Sequence, residues 1–222
     1  MPVAGTRRNL HTSGVVQRER GTTVRVISGS AKGRPLKAVP GMGTRPTTDK
    51  VKEAIFSMIG PYFAGGSVLD LFAGTGSLGI EALSRGMDAA VFIDADKKSV
   101  EVVHANLQAA RLELKAEVYR NDAIRALKVL GKRGTKFDLV FLDPPYKMTA
   151  IAEMTQTMLE LGLLADDATV VVEHDASNVW EESIGDLFRK KHVEYGETAV
   201  SVYKREPGNE SEGRGNDERT EA

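Results

Sequence analysis

The sequence predicts an α/β fold of the Rossmann-like type: a mostly parallel, seven-stranded sheet with helices on both faces, a C-terminal antiparallel hairpin and a small N-terminal hairpin-and-helix extension. Three observations lead to this prediction. Between residues 67 and 174, short apolar runs alternate with segments of helical periodicity, a pattern typical of a parallel sheet whose crossover connections are helices. A glycine-rich turn, Gly74 to Gly79, joins the first of these runs to a helix. The chain of 222 residues, 41% hydrophobic and 27% charged, is long enough to bury one full core.

The N-terminal part divides at about residue 22. Residues 1–22 are polar and basic without sustained periodicity, which predicts a disordered extension. A mitochondrial presequence is the alternative, since the segment is rich in arginine and poor in acids, but it lacks an amphipathic apolar face. In residues 23–60, two short apolar runs flank a glycine-bounded turn at 29–33 and predict a β-hairpin. A helix follows, with Thr48 or Asp49 as its N-cap and Gly60-Pro61 as its end.

From residue 61 to 205 the alternation of elements is regular. The predicted strands are 67–72, 90–95, 116–120, 137–142 and 168–174. The predicted helices are 77–85, 97–110, 122–131 and 149–161. Two further runs, 188–195 and 198–204 around Gly196, predict the closing antiparallel hairpin. Residues 206–222 are rich in Glu, Gly and Asn with almost nothing apolar, which predicts a disordered acidic tail.

Composition excludes several classes of site. The chain has no cysteine, so disulfides, zinc–thiolate centres and cysteine nucleophiles are excluded, and a reducing, cytoplasmic setting is compatible with this. The four histidines show no metal-ligand spacing, and we expect no metal site. No apolar run approaches the roughly 20 residues that a membrane-spanning helix requires, so we expect no membrane partner.

The net charge of −1 conceals an uneven distribution. Residues 1–60 carry 11 Lys/Arg against three Asp/Glu, whereas the rest of the chain carries 19 against 28. A basic N-terminal quarter on a slightly acidic body indicates a polyanionic partner that is engaged from one side.

The most informative motif is Asp143-Pro144-Pro145-Tyr146, which follows the apolar run 137–142. Two prolines fix φ and remove two N–H donors, so the backbone is stiff and cannot continue a sheet. A stiff loop at the carboxyl end of a parallel strand is where α/β proteins bind ligands. An acceptor carboxylate beside an aromatic ring suits a planar, amine-bearing substrate such as a nucleobase. The alternative is a strand-ending turn in which Asp143 caps and Tyr146 packs.

The turn after the first core strand indicates a nucleotide-like cofactor. Gly74, Gly76 and Gly79 form a G-x-G-x-x-G pattern, and Asp94 lies about 20 residues further on, which matches the dinucleotide fingerprint. An NAD-dependent oxidoreductase is therefore one interpretation. Asp70 argues against it, because a carboxylate at the strand end would repel a pyrophosphate. S-adenosylmethionine (AdoMet) carries a sulfonium and an ammonium but no phosphate, and it suits that carboxylate.

The candidate cofactor ligands follow three strand ends. Asp70 would serve the ammonium end through water or a backbone group, and Asp94 would accept from the ribose hydroxyls. Asp122 would meet the adenine amino group and cap the next helix at the same time. Asp96 is an alternative ribose ligand, although its position past the strand end favours a helix cap. The full predicted set is Asp70, Phe72, Ala73, Gly74, Thr75, Gly76, Asp94, Ala95, Asp122 and Ala123.

These residues together resemble the AdoMet-dependent methyltransferases of the class I fold. The stretch 70–76 is similar to their first motif, and 143–146 is similar to the catalytic motif of the exocyclic-amine N-methyltransferases. The N-terminal block, 25–29 and 45–53, narrows the resemblance to the RsmD family. These bacterial enzymes methylate the N2 amine of one guanine, guanine 966, in 16S ribosomal RNA. The resemblance covers about residues 24–204 and does not extend to either tail.

The resemblance implies a catalytic role for Asp143, Pro144, Pro145 and Tyr146. The Asp143 carboxylate and the Pro144 carbonyl would accept hydrogen bonds from the two N–H groups of the guanine N2 amine. These hydrogen bonds would direct the lone pair of the amine towards the methyl group. Tyr146 would stack on the guanine, which must leave its helix or loop to reach the pocket.

The resemblance also implies that the basic hairpin binds RNA. Arg25, Lys32, Arg34, Lys37 and Arg45 would contact phosphates of 16S rRNA, in a partly assembled small subunit. We expect a cytoplasmic monomer.

Three other functions fit parts of the pattern. A DNA adenine-N6 methyltransferase would use the same two motifs but usually needs a separate target-recognition domain, and this chain leaves room for no more than about 40 residues of one. An oxidoreductase shares the glycine-rich turn but leaves Asp70 and Asp143 unexplained. A non-catalytic RNA-binding module would need the basic hairpin but not the tetrapeptide.

Overall fold

A computed structural model of the chain describes residues 24–40, 49–144, 149–178 and 181–206. The predicted N-terminal extension lies outside the described residues, as does the predicted acidic tail beyond Glu206. Four residues named by the sequence analysis also lie outside them: Arg45, Thr48, Pro145 and Tyr146.

Within these described ranges, five α-helices and ten strands follow one another in nearly the predicted order. The helices are α1 (Asp49–Ile59), α2 (Ser77–Ser84), α3 (Lys97–Ala110), α4 (Ala123–Lys132) and α5 (Thr149–Glu160), with a short 3-10 helix at Glu113–Lys115. The strands are β1 (Val24–Arg25), β2 (Pro35–Leu36), β3 (Ser67–Asp70), β4 (Ala89–Asp94), β5 (Ala116–Arg120), β6 (Phe137–Leu142), β7 (Leu164–Asp175), β8 (Ser183–Ile184), β9 (Leu187–Tyr195) and β10 (Thr198–Arg205).

The main sheet has the order β5-β4-β3-β6-β7-β10-β9-β8. Its first five strands are parallel, and β10, β9 and β8 join them antiparallel. This confirms the predicted α/β class and the C-terminal antiparallel hairpin. In the part of the chain that the structure describes, the sheet has eight strands rather than seven, because Ser183–Ile184 pairs with the start of β9. Two residues are too few to show the alternation by which a strand is recognised in a sequence.

The N-terminal hairpin forms as predicted, with Val24 opposite Leu36, but its strands are only two residues long. Its apolar side chains, together with Ile55 and Phe56 of α1, pack in the same core cluster as Val68 and Phe92 of the sheet. That cluster covers the face of the sheet under α1, α2 and α3, and a second cluster lies under α4 and α5. The apolar side chains of the hairpin therefore belong to the hydrophobic core of the sheet. The predicted division at residue 60, between an RNA-binding arm and the rest of the chain, stays a prediction.

A buried ionic cluster fixes the hairpin to α2. The Glu81 carboxylate is fully buried and accepts the backbone N–H groups of Ile27 (2.8 Å) and Ser28 (2.9 Å). Arg85 Nε donates to the same carboxylate at 2.8 Å, and Lys52 Nζ lies 3.6 Å from it. Burial lowers the pKa of Lys52, and the nearby Glu81 carboxylate opposes that shift. Because each charge has a partner, the cluster avoids the several kcal/mol that an unpaired buried ion costs.

Among the described residues, the helices are all too short or too polar to cross a lipid bilayer.

Candidate active site

The candidate site lies at the carboxyl edge of the parallel strands, where β3 and β6 are neighbours. Asp70 at the end of β3 is in register with Phe141 of β6, and the Leu71 N–H donates to the Phe141 carbonyl at 3.2 Å. The glycine-rich turn that follows β3 and Asp143, which follows β6, therefore leave the sheet side by side. Ligands of open α/β sheets bind at this edge.

Glycines shape the turn between β3 and α2. Gly74 and Gly76 have φ values of 53° and 74°, a region that L side chains rarely adopt. A Cβ atom on Gly79 would lie 2.4 Å from the Phe92 ring, so the absence of a side chain at this position lets α2 pack closely on the sheet. The positive φ values explain why glycines occupy positions 74 and 76, while the contact of the turn with a cofactor stays a prediction.

Two carboxylates hold the backbone of this turn. Asp94 Oδ2 accepts the Gly74 N–H at 2.8 Å, and its Oδ1 accepts the Asp96 N–H at 2.8 Å. Asp70 Oδ2 accepts the Gly79 N–H at 3.1 Å. In a pyrophosphate-binding turn such backbone N–H groups point at the ligand. Here two of them donate to carboxylates, so the turn is suited to a cationic ligand rather than to a phosphate.

The surroundings of Asp70 disfavour the negatively charged form of its carboxyl group. Its side chain is buried, and burial raises the pKa of its carboxyl to about 7. The Gly79 N–H opposes that shift, whereas the carboxylates of Asp143 and Asp94 add to it. A cation bound beside Asp70 would relieve this repulsion.

Asp143 is exposed at the end of β6, and Pro144 after it is half-buried. Although Asp143 is open to solvent on one side, the protein around it partly desolvates the carboxyl and raises its pKa above the usual carboxyl range. Since Asp143 also contributes to the raised pKa of Asp70, the two carboxylates share one electrostatic environment. The predicted catalytic carboxylate and the predicted cofactor turn are therefore close together.

The remaining carboxylates cap helices. Asp96 accepts the Ser99 N–H at 3.2 Å at the start of α3, which confirms the predicted cap. Asp122 accepts the Arg125 N–H at 3.2 Å at the start of α4 and is exposed at the end of β5. Its cap is confirmed, and its predicted contact with adenine stays a prediction. The other predicted cofactor residues near these strand ends are Phe72 and Ala123, both half-buried, Ala73, which is buried, and Ala95, which is exposed.

Asn106 supports the site and was missed by the sequence analysis. It is fully buried, and its Nδ2 donates to the Thr75 carbonyl at 2.8 Å and to the Lys37 carbonyl at 3.0 Å. Its Oδ1 accepts the Lys37 N–H at 2.7 Å. The sequence held a signal, because Asn106 falls on the apolar stripe of α3 that Val103 and Ala110 define. A polar residue on such a stripe needs buried hydrogen-bond partners.

The predicted RNA-binding residues occupy two different regions. Lys37 is exposed, and its backbone lies against Asn106 next to the glycine-rich turn.

Arg34 donates to the Ala109 carbonyl at 2.7 Å in the last turn of α3, which ends at the amino edge of the sheet. Lys32 is exposed in the hairpin turn, whose Ala31 N–H donates to Ser84 at the end of α2. Arg25 is 63% exposed at its side chain and forms an ion pair with Asp49 at 3.0 Å. The structure thus brings Lys37 near the site and leaves Lys32 and Arg34 near the opposite edge.

Comparisons with known proteins assign the chain to a family. The family model described as conserved hypothetical protein 95 matches residues 24–204. The chain is 53% identical over 182 residues to the Bacillus subtilis protein named "Putative rRNA methyltransferase YlbH", covering 82% of this chain and 99% of that protein. It is 33% identical over 189 residues to the ribosomal RNA small subunit methyltransferase D of Escherichia coli, covering 85% of this chain and 93% of that one. A solved structure of a conserved hypothetical protein of Streptococcus pyogenes superposes with a TM-score of 0.67 at 41% identity, over 70% of this chain and 96% of that chain.

Proposed function

We infer the function from the family, because the chain belongs to the family described as conserved hypothetical protein 95, the RsmD family of rRNA methyltransferases. The chain is accordingly an rRNA methyltransferase that uses AdoMet. We propose that it methylates the exocyclic N2 amine of guanine 966 in small-subunit rRNA. The observation that supports this proposal is the position of Asp143, whose carboxylate is a hydrogen-bond acceptor at the end of β6, next to the turn after β3.

The residues at the carboxyl edge fit AdoMet. Asp70 and Asp94 surround the turn with negative charge and occupy the N–H groups of Gly79 and Gly74, which suits an ammonium and a sulfonium and disfavours a pyrophosphate. Asp70 would attract the ammonium end, Asp94 would accept from the ribose hydroxyls, and Asp122 would accept from the adenine amine. When bound, AdoMet supplies a methyl group activated by its positively charged sulfur. The same charge argument makes an NAD-dependent oxidoreductase the weaker interpretation.

Asp143 and Pro144 would orient the target amine. The guanine N2 lone pair is delocalised into the ring and is a weak nucleophile, so the amine must be held with its lone pair directed at the methyl group. The Asp143 carboxylate and the Pro144 carbonyl are acceptors for its two N–H bonds, and they stabilise the positive charge that develops on nitrogen. Since desolvation raises the pKa of Asp143, its carboxylate is a stronger base than an ordinary surface aspartate and is suited to receive the proton that the amine loses.

The guanine would be unpaired and turned out of its RNA helix or loop before it reaches Asp143. Tyr146 would stack on it, and Lys37, exposed beside the glycine-rich turn, would contact a neighbouring phosphate. Phosphate contacts orient the RNA without selecting the base, so selection depends on local RNA shape. We propose a cytoplasmic, monomeric enzyme that acts on a partly assembled small subunit.

The test is methyl transfer from labelled AdoMet to small-subunit particles that lack their own modifications, followed by digestion and identification of the labelled nucleoside. We expect the label in N2-methylguanosine and at one position. The Asp143→Ala variant serves as the inactive control, and a DNA duplex serves as the competing substrate. Label in another nucleoside, or label in the DNA alone, would contradict the proposed substrate and keep the family.

A further inference from the structure

A groove far from Asp143 has the chemistry of a second RNA contact. It has a volume of about 580 Å³ and lies between the hairpin, α1 and the segment that precedes β3. Its wall includes Arg25, Lys32, Glu53, Tyr62 and Arg85.

The groove opens at the amino edge of the sheet, opposite the candidate active site. Arg85 follows the end of α2, and its carbonyl accepts the Phe63 N–H at 3.0 Å just before β3 begins. Since α2 starts at the carboxyl edge and has eight residues, its length of about 12 Å separates the groove from the glycine-rich turn. A nucleotide bound in the groove is therefore not the nucleotide that reaches Asp143.

Tyr62 gives the groove an aromatic surface that is held in position. The residue is 63% exposed, and its hydroxyl forms a hydrogen bond with Ser28 Oγ at 2.9 Å. Ser28 is itself fixed, because its N–H donates to Glu81 and its carbonyl accepts from Ser84 Oγ at 2.6 Å. An exposed ring that loses little freedom on binding is well suited to stack on an unpaired base.

Cations beside the ring suit a phosphate. The Arg25 side chain is 63% exposed, and its ion pair with Asp49 uses Nε, so the two terminal guanidinium nitrogens are not part of that contact. Lys32 is exposed in the hairpin turn on the same wall. Arg85 adds little, because its charge is matched by the buried Glu81 carboxylate at 2.8 Å.

We propose that this groove binds a single-stranded nucleotide of the RNA substrate, with its base stacked on Tyr62 and its phosphate held by Arg25 and Lys32. This inference rests on the proposed function, since the RNA is the substrate of the methyl transfer. The groove holds a part of the RNA distant from the target guanine and so contributes to substrate affinity rather than to the chemical step.

The experiment measures binding and turnover of the full chain for Tyr62→Ala, Tyr62→Phe and Lys32→Glu. The control is Tyr119→Ala, which removes another exposed tyrosine (42% exposed) on the outermost strand, β5. Binding to a fluorescent single-stranded oligoribonucleotide should weaken by about 5- to 150-fold in Tyr62→Ala and little in Tyr62→Phe or in the control. Lys32→Glu should reduce the slope of log affinity against log salt by about 1.

Methyl transfer to small-subunit particles separates this inference from the proposed function. Tyr62→Ala should raise the KM for particles and leave kcat unchanged, with thermal melting confirming that the variant is folded. If the wild-type protein transfers methyl groups, and Tyr62→Ala has the same affinity for the oligoribonucleotide and the same KM for particles, the groove proposal is overturned and the proposed function stands. If the wild type transfers no methyl group, the proposed function fails, and the oligoribonucleotide affinities alone decide whether the groove binds RNA.

Discussion

The Asp94 carboxylate accepts the backbone N–H of Gly74 at 2.8 Å, and so joins the end of β4 to the glycine-rich turn after β3. Its other oxygen accepts the Asp96 N–H at the same distance. Asp94, which the sequence predicts as a cofactor ligand, thus also stabilises the conformation of the turn. Each oxygen of a carboxylate has a second lone pair, so the two roles are compatible.

Replacing Asp94 should therefore affect cofactor binding and stability together. In Asp94→Ala the half-buried Gly74 N–H loses its partner, at a cost of about 1–3 kcal/mol in the free energy of unfolding, and AdoMet affinity should fall by at least tenfold. The matched control is Asp96→Ala, which removes the cap of α3, at a cost of about 1 kcal/mol, but keeps the backbone N–H that Asp94 accepts. Calorimetric titration with AdoMet and urea unfolding check both variants. Equal loss of AdoMet affinity in the two would contradict a ligand role that belongs to Asp94 and not to Asp96.

The buried Asp70 should make stability depend on pH. Its pKa is raised to about 7 in the folded protein from an ordinary value of 3.8, so the folded state binds the proton more tightly than the unfolded state. Stability conferred by this group is therefore present at low pH and is lost as pH rises from about 4 to about 7, by on the order of 4 kcal/mol. The Asp70→Asn variant lacks this dependence, and the difference between the two unfolding curves isolates it. Curves that stay parallel from pH 4 to pH 8 would contradict the assignment.

AdoMet should change the protonation of the same carboxyl. A cation bound beside Asp70 favours the ionised form and lowers its pKa, so binding near pH 6.5 releases a proton and the affinity rises with pH up to about 7. Calorimetric titration in two buffers of different ionisation enthalpy measures the released proton directly. Asp70→Asn should show no such release, and a wild type whose binding enthalpy is the same in both buffers would rule it out.

Asp143 should be needed for methyl transfer but not for cofactor binding. In Asp143→Ala the target amine loses an acceptor, and kcat should fall by about 10²- to 10⁴-fold, while AdoMet affinity changes little. Because the Asp143 carboxylate contributes to the raised pKa of Asp70, the same variant should also shift the pH dependence of stability towards lower pH. Single-turnover kinetics and pH-dependent unfolding are the two measurements. Normal turnover in the variant would refute the catalytic role.

Local signals predicted most of the fold and less of the site. The bounds of α3 follow from its Asp96 cap and apolar stripe, both of which depend on neighbouring residues only. The position of the hairpin turn depends on Ser28 meeting Glu81, 53 residues away in sequence, and no local pattern reports such a contact. For the same reason the sequence grouped Arg34 with Lys37 as phosphate ligands, although the structure ties Arg34 to the Ala109 carbonyl.

Asn106 should be essential for joining the hairpin to the glycine-rich turn. Asn106→Ala leaves the Lys37 N–H and the Lys37 and Thr75 carbonyls without their side-chain partner, which should lower the free energy of unfolding by about 2–4 kcal/mol. Gln108→Ala, exposed on the same helix, is the control and should change it by less than about 0.5 kcal/mol. Urea unfolding of both variants measures the difference, and equal stabilities would show that the three hydrogen bonds contribute little.

Charge reversal separates Lys37 from Arg34, which the sequence treats alike. Lys37→Glu changes an exposed side chain beside the site, so it should weaken RNA binding, reduce the salt slope by about 1 and leave stability nearly unchanged. Arg34→Glu removes a donor from the last turn of α3 and introduces a negative charge at the negative end of the helix dipole. It should therefore lower stability by about 1–2 kcal/mol. RNA titrations at several salt concentrations, with urea unfolding of the same samples, measure both effects. A full loss of salt dependence in Arg34→Glu without loss of stability would mean that Arg34 contacts phosphate and that its bond to Ala109 is incidental.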